Sequence, residues 1–291
     1  MYMSEAVVAD FPGRFFTEET EAQEPVKGRI LLSEKQLVLA TEEAETRVPL
    51  SAVVDTNVGS PPQAFKQFFN DTVTIQYKKS GDRQAAIIEA TGKNVEKFKT
   101  VFFKTAVGGQ TVIVTHPAKR GGRITDASDR KMELKLKRGQ LDLNGKEETV
   151  TIDLGGVIDF GREQRDIGGK TRPTLSVDHS EAGTTLTTLI TLPNSRKLNL
   201  LGRFVRLEYS EIMEDLEEIN VGEEEIETLV SLYSAGGSAE LSMLVTGDIN
   251  ETRAIVDQLQ EKELVDDGED GLTLTPKGQV IVNQKIESVN A

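Results

Sequence analysis

"QLVLATEEAETRVPLSAVVD", Gln36–Asp55, and "QLDLNGKEETVTIDLGGVID", Gln140–Asp159, are one passage written twice. Set together without a gap, at an offset of 104, seven of twenty positions are identical: Gln36/Gln140, Leu37/Leu141, Leu39/Leu143, Glu43/Glu147, Leu50/Leu154, Val53/Val157 and Asp55/Asp159. Val48/Ile152 and Val54/Ile158 exchange one β-branched residue for another. In each copy apolar residues alternate with polar ones, a charged turn follows, and a second alternating run begins. Period-two alternation is the signature of a half-buried strand, so each copy predicts two strands joined by a tight turn and the start of a third.

The surroundings repeat as well. Each copy continues into a later strand, "DTVTIQYKK" (Asp71–Lys79) or "RPTLSVDH" (Arg172–His179), and then another, "RQAAIIEA" (Arg83–Ala90) or "TTLTTLITL" (Thr184–Leu192). Each closes on a helix. In "NVEKFKTVFFKTA" Val95, Phe98 and Phe102 recur at helical spacing behind Asn94 as N-cap. In "SRKLNLLGRFVRLEYSEIMEDLEEI" Leu198, Leu201, Val205 and Ile212 do so behind Ser195. Six or seven antiparallel strands plugged by one C-terminal helix is the plan of a pleckstrin-homology-like barrel. The expected fold is therefore α+β and mainly β. It comprises two such domains in tandem, 1–108 and 109–219, followed by a winged helix-turn-helix over 220–291.

The third domain is read from "GEEEIETLVSLYSAG" (Gly222–Gly236) as its first helix, with Ile226, Leu229, Val230 and Tyr233 inward. "SAELSMLVTG" (Ser238–Gly247) gives the second helix. "DINETRAIVDQLQEKELV" (Asp248–Val265) gives the third, with Asp248 and Glu251 at capping-box spacing. A hairpin tipped by Asp266, Asp267, Glu269 and Asp270 is the wing, and "GQVIVNQKIESV" runs on as strand or helix. Reading DNA needs Arg, Lys, Asn or Gln at base edges and cations on phosphates. Here fifteen Asp and Glu between Asn220 and Ala291 face only Arg253, Lys262, Lys277 and Lys285, which repels phosphate. A winged-helix transcription regulator with ligand-sensing barrels is thus the alternative reading, and the acidic wing weighs against it.

The 291 residues carry a net charge of −14 and no Cys, which removes disulfides and thiol chemistry. The acidity disfavours nucleic acid and anionic membranes, and it suits a halophile. At 1 M salt the Debye length is only about 3 Å. With no long apolar run and no signal-peptide pattern at the start, a cytoplasmic protein is expected. "IGGKT" (Ile167–Thr171) lacks the first glycine of a phosphate loop, Gln164 standing there, and a strand rather than a helix follows. "DHSE" (Asp178–Glu181) reads as a turn, and "AKRGGRITDASDRK" (Ala118–Lys131) as a flexible basic connection between the repeats. Neither His116 nor His179 has carboxylates at metal-ligand spacing. No activated nucleophile, cofactor or metal site is expected, and the chain reads as a non-enzyme.

"EPVKGRILLSEKQLVLAT" (Glu24–Thr41), "TRVPLSAVVDTNVG" (Thr46–Gly59) and "DTVTIQYKKSG" (Asp71–Gly81), then a second barrel and a terminal winged helix, resemble the CheF family of archaeal taxis proteins. The resemblance implies an adaptor, homodimeric, that links the phosphorylated response regulator CheY to the switch complex at the cytoplasmic base of the archaellum. The regulator's site is expected on the C-terminal module, at Glu224, Glu225, Ile226, Glu227, Leu229 and Val230, with Arg253, Asp257 and Glu261 on the third helix. The motor is expected to meet the cations Lys119, Arg120, Arg123, Arg162, Arg165, Lys170 and Arg172.

Overall fold

The computed structural model describes residues 6–19, 24–89, 93–181, 184–217, 219–235, 238–239, 249–268 and 271–290. The protein is mainly β, with antiparallel sheets. It packs as two compact units. One takes Met1–Thr111 with Leu134–Arg138 and Leu192–Phe204, the other Val112–Glu133 with Gly139–Thr191 and Val205–Ala291.

The first sheet holds β1 (Val7–Thr17), β2 (Val26–Ser33), β3 (Gln36–Ala40), β4 (Glu45–Pro49), β5 (Val53–Gly59), β6 (Thr72–Lys79) and β7 (Asp82–Glu89), in the order β4-β3-β2-β1-β7-β6-β5. Helix α1 (Lys93–Val107) follows. The second sheet holds β8 (Gln110–Arg120), β10 (Arg130–Lys137), β11 (Gln140–Asn144), β12 (Thr149–Asp153), β13 (Val157–Ile167), β14 (Lys170–Glu181) and β15 (Thr184–Thr191). Its order is β12-β11-β10-β8-β15-β14-β13, with the short β9 (Arg123–Ile124) paired to β8, and α2 (Ser195–Glu217) follows. With β9 set aside, the two orders are the same.

The agreement reaches single residues. Leu37 pairs Val48 in the first copy and Leu141 pairs Ile152 in the second. Both copies enter a single 3-10 turn, Leu50–Ala52 and Leu154–Gly156. The turn is pinned by Leu50 N–H to Lys35 O at 2.8 Å and by Leu154 N–H to Gly139 O at 2.9 Å. The ladder then slips at Val53/Asp55 and at Val157/Asp159, the same β-bulge in the same place. Gln36–Asp55 and Gln140–Asp159 therefore form the same strand pairings.

Alternation set these faces. Leu37, Leu39 and Val48 are buried in one copy, Leu141, Leu143 and Ile152 in the other. Burial of each such side chain contributes about 1.5–3 kcal/mol. The first unit's core is aromatic. Phe11 meets Phe98 edge-on at 5.5 Å, and Phe98–Phe102, Phe102–Phe103 and Phe103–Phe204 continue the chain of rings. The second sheet's core is aliphatic, with Leu141, Leu154, Leu175, Val177 and Ile190 buried. Gly28 serves close packing in the first sheet, since a Cβ there would stand 2.2 Å from Ala40 O.

Several local expectations need correcting. Asn194, not Ser195, caps α2, accepting from Lys197 N–H at 3.0 Å, because the helix begins one residue later than its cap. Helix α1 starts at Lys93, so Asn94 is helical; its side chain lies outside the described residues. Ala118–Lys131 is no connection between repeats. It runs from the end of β8 through β9 into β10, because Gly121 and Gly122 adopt positive φ and fold it into a hairpin. "DHSE" is the end of β14 rather than a turn, its residues paired with β15.

The C-terminal part holds α3 (Glu223–Ser234), β16 (Ser238–Ala239), α4 (Ile249–Glu261), β17 (Val265–Gly268), β18 (Gly271–Leu274) and α5 (Pro276–Asn290). The three strands pair in the order β16-β18-β17. Ser238 and Ala239 are strand, where a helix was expected; residues 240–248, including Asp248, lie outside the described residues. "GQVIVNQKIESV" is helix. Leu229, Leu232, Val256, Leu259, Leu264, Leu272 and Val282 make the core here, with Ile212, Met213 and Leu216 of α2 packed into it. No described helix is long and apolar enough to cross a membrane.

Candidate docking surfaces

Two hairpins of the second unit carry the expected cations. Lys119, Arg120 and Arg123 lie exposed on β8–β9, where Arg120 pairs Arg123 across Gly121-Gly122. Ile124, one residue on, is 82% exposed. Arg162, Arg165, Lys170 and Arg172 lie on β13–β14, where Ile167 pairs Lys170 across Gly168-Gly169, both at positive φ. A two-residue turn with both φ positive costs least with glycine, which explains why the sequence writes Gly-Gly at each tip. Strand, not helix, follows Lys170, so this loop lacks the geometry of a phosphate cradle.

Arg165 ties the two hairpins together. Its guanidinium donates to Thr115 Oγ1 at 2.9 Å and to Asp129 Oδ1 at 3.2 Å, at the base of the first hairpin, and Thr115 Oγ1 donates to Asp129. Arg165 is thus a structural cation, half-buried. Lys119, Arg120, Arg123, Arg162 and Lys170 are the exposed ones, and Arg172 is half-exposed.

On the C-terminal module the nine expected regulator contacts divide. Glu224 and Glu227 are exposed on α3, and Ile226 and Val230 are half-buried. Leu229 is fully buried in the module's core. Glu225 is buried too. It accepts Gly222 N–H at 2.7 Å and Lys262 Nζ at 2.6 Å on both oxygens. Burial pushes its carboxyl up, but those donors outweigh it and hold the pKa below the usual value. Arg253, Asp257 and Glu261, spaced four apart, form one exposed stripe on α4. Asp266 and Asp267 on β17 are exposed as well, while Glu269 and Asp270 lie outside the described residues.

The second unit also buries polar groups that sequence reading passed over. The chain's two histidines stack at 5.9 Å and 17° on either side of one hydroxyl. Thr188 Oγ1 lies 2.7 Å from His116 Nδ1 and 2.9 Å from His179 Nε2. One hydroxyl carries one proton, so it can donate to one ring while the other ring donates to its oxygen. Burial, then the neighbouring His116, pushes His179 down to about 4, and burial lowers His116 also. Asp153 heads the 3-10 turn, accepting Gly155 N–H at 3.0 Å, and burial pushes it up to about 6. Ser180 and Tyr233 share a hydrogen bond of 2.8 Å that ties β14 to α3. Among the described residues no cluster of three or more His, Asp or Glu is placed to hold a metal.

Sheets, helices and charged faces together define a mainly β protein built on a duplicated antiparallel unit. Sequence comparison supplies the rest. The family model described as "Archaeal Chemotaxis signal transduction system protein F" matches residues 7–211. Taxis protein CheF2 of Halobacterium salinarum is 41% identical over 288 residues, 99% of this chain and 100% of the relative. Taxis protein CheF1 of the same organism is 24% identical over 296 residues, 98% of this chain and 99% of the relative. The chain belongs to the CheF family, and its role lies in archaeal chemotaxis signal transduction. Among solved structures, a chain of "Structure of the Spt16D Pob3N heterodimer" overlays 65% of this chain and 97% of its own at a TM-score of 0.25 and 9% identity, too distant to carry an argument.

Proposed function

We propose that this protein is a non-enzymatic adaptor, homodimeric and cytoplasmic, that binds the phosphorylated response regulator CheY and couples it to the archaellum switch complex. The observation that carries the reading is the separation of charge within a CheF chain. The exposed cations Lys119, Arg120, Arg123, Arg162 and Lys170 share two joined hairpins with the exposed acids Glu163 and Asp166, whereas the exposed charge of α3, α4 and β17 is acidic except for Arg253. Surfaces of different charge suit two different partners, since complementary potentials steer association and suppress the wrong contact.

In this reading the repeats are pleckstrin-homology-like barrels and the C-terminal part is a winged helix turned from DNA to protein. Its domains are 1–108, 109–219 and 220–291. CheY docks on Glu224, Glu227 and the half-buried Ile226 and Val230, with Arg253, Asp257 and Glu261 beside them. Glu225 and Leu229 act behind the surface, holding α3 in place. The motor meets Lys119, Arg120, Arg123, Arg162, Lys170 and Arg172. No metal or cofactor enters the scheme.

The test is capture on the purified, immobilised full chain. Beryllofluoride-loaded CheY and the switch proteins, added together, are expected to be retained at once. CheY without beryllofluoride is expected to wash through. Retention of neither, or of the two only in competition, would reject an adaptor.

A further inference from the structure

The duplication offers a comparison that neither copy gives alone. In the first unit the segment from the 3-10 turn into β5 is covered by the opening turns of α2. Arg196 Nη1 donates to Ser51 O at 2.5 Å and Asn199 Nδ2 to Val54 O at 3.5 Å. Arg203 then clasps both oxygens of Asp55, each at 3.1 Å. Under this cover Val54 is only 7% exposed.

The same backbone recurs in the second unit, with Gly155 for Ser51, Ile158 for Val54 and Asp159 for Asp55, through the same 3-10 turn and the same bulge. Here α5 packs over the turn, and a Cβ on Gly156 would meet Gln279 Oε1 at 2.6 Å. The cover stops there. Ile158 is 45% exposed, and Asp159 is exposed with no hydrogen bond or ion pair among the described residues. Asp159 also stands directly opposite Asp178 in the ladder, where its counterpart Asp55 faces Gln76. Like charges opposite each other destabilise a ladder unless a cation joins them. Asp178 already takes Thr187 Oγ1 at 2.6 Å, which leaves Asp159 to receive it.

We propose that the Ile158–Asp159 bulge is a docking site for a helix of a partner protein. That helix presents an arginine to Asp159 and, four residues earlier, a side-chain amide to the Ile158 carbonyl. The occupied copy supplies the pattern, Asn199 and Arg203 on α2. A second copy of this chain is not the occupant, because each copy spends that turn on its own Val54 and Asp55. The inference stands apart from the adaptor reading, since it rests on the repeat and names no taxis partner.

The probe is a lactam-bridged helical peptide of residues 194–206, fluorescently labelled and titrated against the full chain by anisotropy. Saturable binding is expected. Asp159→Arg is expected to weaken it by about tenfold or more, the scale of one ion pair, and Ile158→Ser to weaken it too. A peptide carrying Arg203→Glu is expected to recover the loss on the Asp159→Arg protein. Both substitutions lie on exposed side chains, and circular dichroism checks that the variants fold. The proposal is overturned by absence of saturable binding, or by binding indifferent to both substitutions. It is equally overturned by binding that Asp55→Asn alone abolishes, which would mean exchange at the first copy, or by an Ile158→Ser effect on sedimentation without one on the peptide.

Discussion

Single side chains set two opposed pH responses. His179, held at about 4, has a folded pKa below the ordinary 6.5, so the unfolded chain binds more protons between those values. Its contribution is therefore complete above pH 6.5 and lost as pH falls toward 4, at up to about 1.4 kcal/mol per pH unit. Asp153 runs the other way. Raised to about 6 from 3.8, it contributes stability below pH 3.8 that is lost as pH rises through 6. Asp153→Asn keeps an oxygen for Gly155 N–H and removes the buried charge. It is expected to stabilise the protein by about 1–2 kcal/mol at pH 7.5 and by nothing at pH 4, read from urea midpoints. His179→Gln is expected to flatten the loss between pH 6.5 and 4 in the same measurement. Lys262→Met strands Glu225 in the module's core without its cation, and the expected cost is about 3 kcal/mol in chemical denaturation. An equal midpoint for Lys262→Met and the parent would show that the pair contributes nothing.

At the scale of elements, two Gly-Gly hairpins and two acidic helices carry the charges proposed to meet the two partners. Reversing Lys119, Arg120 and Arg123 to Glu alters side chains that point to water on a hairpin whose shape Gly121 and Gly122 set. The fold should survive, while retention of the switch proteins on the immobilised chain drops and CheY retention stays. Reversing Glu224, Glu227 and Asp257 to Lys should do the converse, chiefly through the association rate. The opposite pattern would exchange the two surfaces. Gly278 belongs to this scale too. A Cβ there would lie 2.2 Å from Leu264 O, so Gly278→Ala pushes α5 away from the hairpin and should lower the melting temperature by several degrees.

Across the whole molecule a net charge of −14 works against compaction. Screening relieves that repulsion over a Debye length of about 10 Å at 0.1 M and about 3 Å at 1 M. The full chain should accordingly melt at a higher temperature in 2 M than in 0.2 M KCl. A melting temperature independent of KCl would mean that the acids are already balanced in the fold. Charge that survives such screening acts at contact distance, as in the clasp of Arg203 on Asp55 and the tie of Arg165 to Asp129.

The duplication and the alternation of its strands were legible in the sequence, because period-two alternation fixes which residues face inward and one slip would turn them all out. Leu37, Leu39 and Val48, with their counterparts Leu141, Leu143 and Ile152, are inward residues that the pattern determines. The charge division was equally plain, since it is a matter of counting. Tertiary structure decided the rest. The pattern did not say that α2 would lend its first turns to Ser51, Val54 and Asp55, because hydrogen bonds between residues 145 or 148 apart leave no local trace. Nor did it say that Glu225 would turn inward to Lys262, since an acidic run reads as solvated until a distant cation is brought beside it. His116 and His179 meet only because β8 and β14 both flank β15, where Thr188 stands. Sequence fixes what is local and periodic, and folding alone brings together groups whose partners are far along the chain.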